Sequence, residues 1–327
     1  MDNLLYLSYG QGPHVDQLVY AVLSALHMLG RNRNNYRIIV YTDNPTVVSD
    51  LPVHLQPLSA EVLTEWAGPY EFNHRRKIFA IKDALEKFGG RLVYCDADTY
   101  FLKHPRKIFA RIRPGHTVMH IKEGHLYDCH AGDVGDFLQD HDLQNRAGHR
   151  WNLTPDTPMF NAGVVALHEA DISLLDEIVH LTDQIYPHVS IHNIEQFAFS
   201  ACFQQCTKLR QSYRIIHHYW PPPGRARFGE ELRRVLHDPS ISSHEERFRR
   251  LLPHQPRQSI SHNRHFATSR RRLYWVLGPW AKRTGIFNAL KRVRGGGIFN
   301  QRTIRAAQVA QYSAITKEKS NKSIGDG

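Results

Sequence analysis

The run RLVYCDADTYFLKHP (residues 91–105) drives a strand-forming apolar stretch straight into two carboxylates, Asp96 and Asp98. Burying one unpaired carboxylate costs several kcal/mol, and burying two costs more. The pair therefore needs a neutralising partner, or a place at an edge that water or a ligand can reach. On a strand, residues i and i+2 share a face, which puts the two Cα atoms about 6.5–7 Å apart at roughly 3.3 Å per residue. One cation can span that gap. Ligands of open parallel sheets gather outside the carboxyl ends of the strands, where this pair falls. Asp–x–Asp there suits a hard divalent cation that holds phosphate oxygens in turn. Taken alone, the motif also fits a solvated strand end leading into a turn.

Working outward, the surrounding segments read as alternating strands and helices. NLLYLSY (3–9), YRIIVYTD (36–43) and RLVYCD (91–96) are near-continuous apolar strands. HVDQLVYAVLSALHMLG (14–30) spaces Val15, Leu18, Val19, Val22, Leu26 and Leu29 along one helical face, with Gly30 as its stop. HRRKIFAIKDALEKFGG (74–90) is a second amphipathic helix closed by a glycine pair. FNAGVVALH (160–168) reads as a buried strand, approached through Asn161 and Gly163. Residues 171–186 and 191–206 read as helices, and YRIIHHYWPPPG (213–224) as a short strand broken by three prolines. This alternation predicts an α/β fold with a mostly parallel sheet. GQGP after the first strand lacks the third glycine of a dinucleotide fingerprint, so that fold is not supported.

The net charge of +11 is unevenly placed. From Gly224 onward there are 22 Lys+Arg against 7 Asp+Glu, a net of +15; residues 1–223 hold 20 against 24, a net of −4. The expected organisation is a body over 1–223, a basic and partly helical extension over 224–317, and a disordered tail over 318–327. Within the extension, RRRLYWVLGPWAKRTGIFNALKRVR (270–294) interleaves Tyr274, Trp275, Trp280 and Phe287 with cations. That mixture suits contact with an anionic membrane surface. Nucleic acid is not expected, since no helix-turn-helix, zinc-finger or RNP-like pattern accompanies the charge. The chain has no 18-residue apolar run and no signal-type start, which leads to the expectation of a cytoplasmic protein, peripheral on the inner face of the membrane. Its four cysteines, including Cys202 and Cys206 one helical turn apart, read as buried free thiols, with a zinc site as the alternative.

The ordered series YLSYG, YRIIVYTD, KIFAIKDAL, RLVYCDADTYF, FNAGVVAL, IEQFAF and IIHHYW resembles the nucleotide-sugar-dependent glycosyltransferases of the GT-A fold. It is most similar to the group of glycogenin and the bacterial lipopolysaccharide galactosyltransferases, over roughly residues 3–225. The resemblance implies a GT-A domain in which Asp96, Asp98 and a late histidine hold Mn²⁺ or Mg²⁺ against the donor diphosphate. His218 fits that third position, with His217 as its rival. It further implies that Tyr9, Gly10 and Asp43 cradle the nucleoside, and that Arg76 and Lys77 approach the diphosphate or sugar. Asn161 and Gly163 would line the sugar or acceptor pocket. Where the group carries Asp–Gln, this chain has Glu195–Gln196, in a nucleophilic or sugar-orienting role. Where it carries His–Phe–x–Gly–x–x–Lys, this chain has HYWPPPGR, and the lysine's charge falls to Arg225 or Arg227.

The chemistry is coherent in its own terms, because cleavage at a sugar diphosphate builds negative charge on the leaving phosphate, which a divalent metal and fixed cations stabilise. The function so implied is transfer of a sugar, in the first instance from a UDP-sugar, to a hydroxyl of a glycan or glycolipid. Retention of anomeric configuration is implied by the resemblance alone. Two alternatives stand beside it. One is a non-catalytic nucleotide-sugar or glycan-binding protein of the same fold. The other is an Asp-dependent phosphatase, disfavoured because Tyr100 stands where that motif wants Thr or Val and no Asp–Asp dipeptide follows. A polar segment holding Glu123, Asp128, His130 and Asp133 reads as an acceptor loop or an ordinary one.

Overall fold

The computed structural model describes residues 1–256, apart from 127–133, 135, 136, 139, 140 and 155. The aromatic and basic segment 270–294, the tail 318–327, Cys129 and the loop residues Asp128, His130 and Asp133 lie outside the described residues. Among those described, the strands are β1 (Asp2–Ser8), β2 (Tyr36–Thr42), β3 (His54–Pro57), β4 (Arg91–Cys95), β5 (Thr99–Phe101), β6 (Val118–Met119), β7 (Lys122–His125), β8 (Pro158–Phe160), β9 (Val164–His168), β10 (Arg210–Gln211) and β11 (Ile216–His218). The helices are α1 (His14–Leu29), α2 (Ala60–Ala67), α3 (Arg75–Phe88), α4 (Arg106–Phe109), α5 (Ser173–Ile185), α6 (Ile194–Cys206), α7 (Pro222–Leu236) and α8 (His244–Leu251).

Seven strands form one sheet in the order β10–β6–β9–β4–β1–β2–β3. β1 pairs in parallel with both β2 and β4, and β2 with β3. Helices cover both faces of this half, which is why Leu4, Leu5 and Tyr6 on β1 are all fully buried. The exception to the parallel pattern is β9, antiparallel to both β4 and β6. That reversal lays the start of β9 beside the carboxyl end of β4, where the Asp96 amide donates to the Gly163 carbonyl at 2.8 Å. From β1 the chain builds outward to β2 and β3, then returns to place β4 on the other side of β1. The carboxyl ends of β1 and β4 therefore flank the crevice where an α/β sheet offers a ligand site.

Three details differ from the sequence reading. Strand β4 stops at Cys95, so Asp96–Ala97–Asp98 is a turn into β5 and not a continuation of the strand. The carboxylates meet through that turn instead of through strand alternation. The prolines after Trp220 open helix α7, where a missing amide hydrogen costs nothing because first-turn N–H groups have no intrahelical acceptor. Finally, of the helical cysteine pair only Cys202 is buried; Cys206 is exposed. The predicted helix stop at Gly30 is present, with φ +53° and its amide bonded to the Leu26 carbonyl.

Helices α7 and α8 pack on α1. Phe228 is buried against Tyr20 and Tyr219, edge to face at 5.0 and 5.2 Å, and Phe248 stacks on Tyr20 at 5.5 Å. Such rings bury large apolar areas and add edge-to-face attraction. Phe228→Ala is expected to cost about 3–5 kcal/mol of stability. Urea unfolding of both proteins measures it, and a loss near zero would mean α7 is not part of this core.

Candidate active site

A cavity of about 530 Å³ opens at the carboxyl ends of β1 and β4. Asp96 and Asp98 come from the turn after β4, and His218 is the last residue of β11, which pairs with β5 so that His218 lies opposite Thr99. One donor atom from each of Asp96, Asp98 and His218 lies within 4.8 Å of the other two. Strand alternation turns His217 the other way, edge to face with Tyr100 at 5.1 Å. Among the described residues this trio alone gathers three groups able to hold a metal ion.

The trio is tightly supported. His218 Nε2 lies 3.0 Å from Asp98 Oδ1 and 3.9 Å from Asp96 Oδ2. Its Nδ1 lies 2.8 Å from Asn161 Oδ1, which also accepts from the Gly163 amide at 2.9 Å. Because that oxygen only accepts, Nδ1 carries the proton and Nε2 faces the carboxylates. Asp98 is only 6% exposed. Burial raises its pKa, but the charge and hydrogen bond of His218 and the charge of Arg225 outweigh burial and hold it down to about 2. Burial likewise disfavours charged His218, yet Asp98 reverses that and raises its pKa. His217, lacking a carboxylate, is pulled by burial down to about 4.

Lys77, on the first turn of α3, is buried, and its Nζ reaches Asp96 at 3.3 Å, Glu195 Oε1 at 3.3 Å and the Ala162 carbonyl at 3.2 Å. An ammonium has three hydrogens, so these contacts use all of its donors. Burial favours neutral Lys77, but Asp96 and Glu195 overcome it and raise its pKa. Tyr94 adds a hydrogen bond to Asp96 Oδ1 at 2.7 Å. Glu195 stands on the first turn of α6, where the helix N-terminus favours negative charge. It is 3% exposed, and its Oε2 is buried with no hydrogen-bond partner. An unpaired buried carboxylate oxygen lining a cavity is a place for a ligand hydroxyl or a water. Gln196 beside it accepts from the Ala162 amide at 3.1 Å and donates to Glu123 at 2.9 Å.

On the α1 side, Arg225 of α7 reaches Asp98 at 3.5 Å and Gln17 at 3.2 Å. Its side chain stays 44% exposed, so it can still turn to a ligand. Tyr9 lines the cavity, its hydroxyl donating to the Asn73 carbonyl at 3.0 Å. Three residues tied to the nucleoside or diphosphate do not line it. The Arg76 guanidinium lies over the Tyr9 ring at 4.6 Å and donates to the Leu63 carbonyl, while the Gly10 amide donates to Asp43 at 2.8 Å. They buttress the ends of β1 and β2 behind Tyr9. Lining residues without a role in the sequence reading include Gln17, His74, His192 and Trp220. Gln17 had no such signal: two residues after Val15 it falls opposite the apolar stripe read from the sequence, yet α1 buries that side too.

The donor set fits a divalent cation. Two carboxylates and an imidazole whose other nitrogen is held by an amide form a hard oxygen-rich site with its supporting hydrogen bond in place. Gly163 makes room for it: a Cβ there would come within 2.7 Å of His218 Cγ and nearer still to Nδ1.

No protein-family model matches the chain, and no curated protein matches it. Solved structures with a similar fold include mouse xyloside xylosyltransferase 1 in its apo form, at 14% identity and TM-score 0.42 over 64% of this chain and 85% of that one. The glycosyltransferase GlyE of Streptococcus pneumoniae aligns at 10% identity and TM-score 0.42 over 64% of this chain and 45% of that one. The galactosyltransferase LgtC, solved with donor and acceptor sugar analogues, aligns at 13% identity and TM-score 0.45 over 80% of this chain and 98% of that one. At these values the likenesses carry no functional argument; the site's own side chains carry it.

Gly163→Ala is expected to displace His218 and weaken Mn²⁺ binding by about tenfold or more. Gly229→Ala, in a helix with nothing within 4 Å of the new Cβ, should leave binding alone and stabilise the fold by about 0.5–1 kcal/mol. Equal Mn²⁺ affinity in the two variants would contradict the packing argument. A pH dependence follows from the same geometry, because the proton that Asp98 retains on His218 must leave before Nε2 can take a cation. Calorimetry from about pH 8 down to pH 6 should show Mn²⁺ binding weakening, towards about tenfold per pH unit at the acid end. Flat affinity over that range would exclude His218 as a ligand.

Proposed function

We propose that this chain is a metal-dependent glycosyltransferase that moves a sugar, in the first instance a hexose, from a nucleotide diphosphate sugar to a hydroxyl of a glycan or glycolipid. The observation that carries the reading is the gathering of Asp96, Asp98 and His218 in one cavity with the partner-less Glu195 Oε2. Asp96, Asp98 and His218 would hold Mn²⁺ or Mg²⁺, whose charge would offset the negative charge that develops on the leaving phosphate. Among the described residues that line the cavity, Arg225 has the freedom to meet the same phosphate, since it is half exposed beside Asp98. Lys77, with every donor committed, instead holds Asp96 and Glu195 in place.

Glu195 lines the same cavity, and its free oxygen can accept from a sugar hydroxyl or steady positive character at the anomeric carbon. Asn161 and Gln196 have their side-chain groups engaged within the site and act as its framework. A UDP-type donor and retention of configuration belong to this reading on the resemblance of the sequence motifs.

Titrating UDP, GDP, CDP and ADP, each with and without Mn²⁺, into wild type and Asp98→Asn tests it. One nucleotide should bind only with metal, and the substitution should weaken it by about 10–100-fold. If no nucleotide binds under any condition, the transferase reading fails and the two aspartates serve only the ion pairs with Lys77, His218 and Arg225.

A further inference from the structure

Glu123 sits where the ladder between β7 and β8 slips. Lys122 pairs with Phe160 and Gly124 with Met159, so Glu123 is the extra residue of a β-bulge. Bulges re-aim side chains, and this one turns Glu123 towards the cavity. Its two carboxylate oxygens are divided between two amides: Oε1 accepts from Asn161 Nδ2 and Oε2 from Gln196 Nε2, each at 2.9 Å. An amide held by its NH₂ group has its oxygen direction decided. The Asn161 oxygen then meets the Gly163 amide and His218 Nδ1, and the Gln196 oxygen meets the Ala162 amide. The Asn161 backbone is pinned as well, its amide to the Ile121 carbonyl at 2.8 Å and its carbonyl to the His120 amide at 3.1 Å.

We propose that Glu123 is a positioning residue: it fixes the direction of the Asn161 amide and, through it, holds His218 with Nδ1 as donor and Nε2 turned to Asp96 and Asp98. Only a carboxylate in this place offers two acceptors to two amide donors. The isosteric glutamine has one acceptor and one donor, so one of the two amides must turn over. A turned Asn161 would set its NH₂ against the Gly163 amide and against the proton on His218 Nδ1. This deepens the metal-binding reading above, and it has one readout independent of any metal.

That readout is the His218 Nδ1 proton in the metal-free full chain labelled with ¹⁵N-histidine, its signal assigned by loss in His218→Gln. Wild type should show a slowly exchanging ring proton. Glu123→Leu, which removes both acceptors, should lose it, and Gln196→Leu, which spares the Asn161 branch, should keep it. Glu123→Gln should split or lose it, and carries the test if the leucine variant does not fold. With Mn²⁺ as the probe, Glu123→Leu should bind about 10–100-fold more weakly than wild type. Adding it to Asn161→Ala should cost nothing further, because its effect runs through Asn161. The proposal is overturned if the signal persists in both Glu123 variants. It is also overturned if Gln196→Leu loses the signal equally, or if the two Mn²⁺ losses add. A wild type that binds no Mn²⁺ would sink the metal reading, while the ring proton would still decide the role of Glu123.

Discussion

Negative charge crowded into a low-dielectric pocket is the constraint around which the rest of this molecule is arranged. Asp96, Asp98, Glu123 and Glu195 all line one cavity, and three sets of partners hold them there. Lys77 spreads one ammonium over Asp96, Glu195 and a carbonyl; His218 and Arg225 share Asp98; two side-chain amides hold Glu123. Removing Lys77 would leave Glu195 buried and without its cation, which is far more damaging than never having had the pair. The fold answers this by bringing separate chain segments to one point. The antiparallel β9 delivers Asn161 and Gly163 to the end of β4, α3 and α6 present their first turns, and β11 brings His218 across from β5.

Much of this was legible in the sequence, for identifiable reasons. Strands β1, β2 and β4 are buried on both faces, so their apolar runs are continuous and their ends sharp. Amphipathic spacing and glycine stops marked α1 and α3. The Asp–x–Asp motif announced itself because carboxylates rarely follow such a strand. His217 and His218 could not be separated by composition; the ladder with β5 separates them, since neighbours on a strand face opposite ways. Arg225 and Arg227 are told apart similarly, being about 200° apart around one helix.

The remainder depends on contacts between distant segments. Nothing local says that Lys77 spends its donors on Asp96 and Glu195, or that Arg76, one residue earlier, turns to Tyr9 and Leu63. Strands of two or three residues, such as β5, β6 and β10, are too short for periodicity to reveal, and they exist because the sheet supplies their partners. The bulge at Glu123 is the clearest instance: it has no sequence signature, yet it decides where that side chain points. The prolines after Trp220 misled for a related reason, since proline ends one element and begins another equally well.

Helix α7 belongs to two parts of the molecule at once. Its apolar face, through Phe228, is locked into the aromatic core on α1, while Arg225, one turn earlier, reaches the carboxylate beside the cavity. A ligand that grips Arg225 would thereby fasten the first turn of the helix as well. Occupancy and rigidity become one thermodynamic quantity: the filled protein would unravel at α7 less often than the empty one, by the free energy with which the ligand is held.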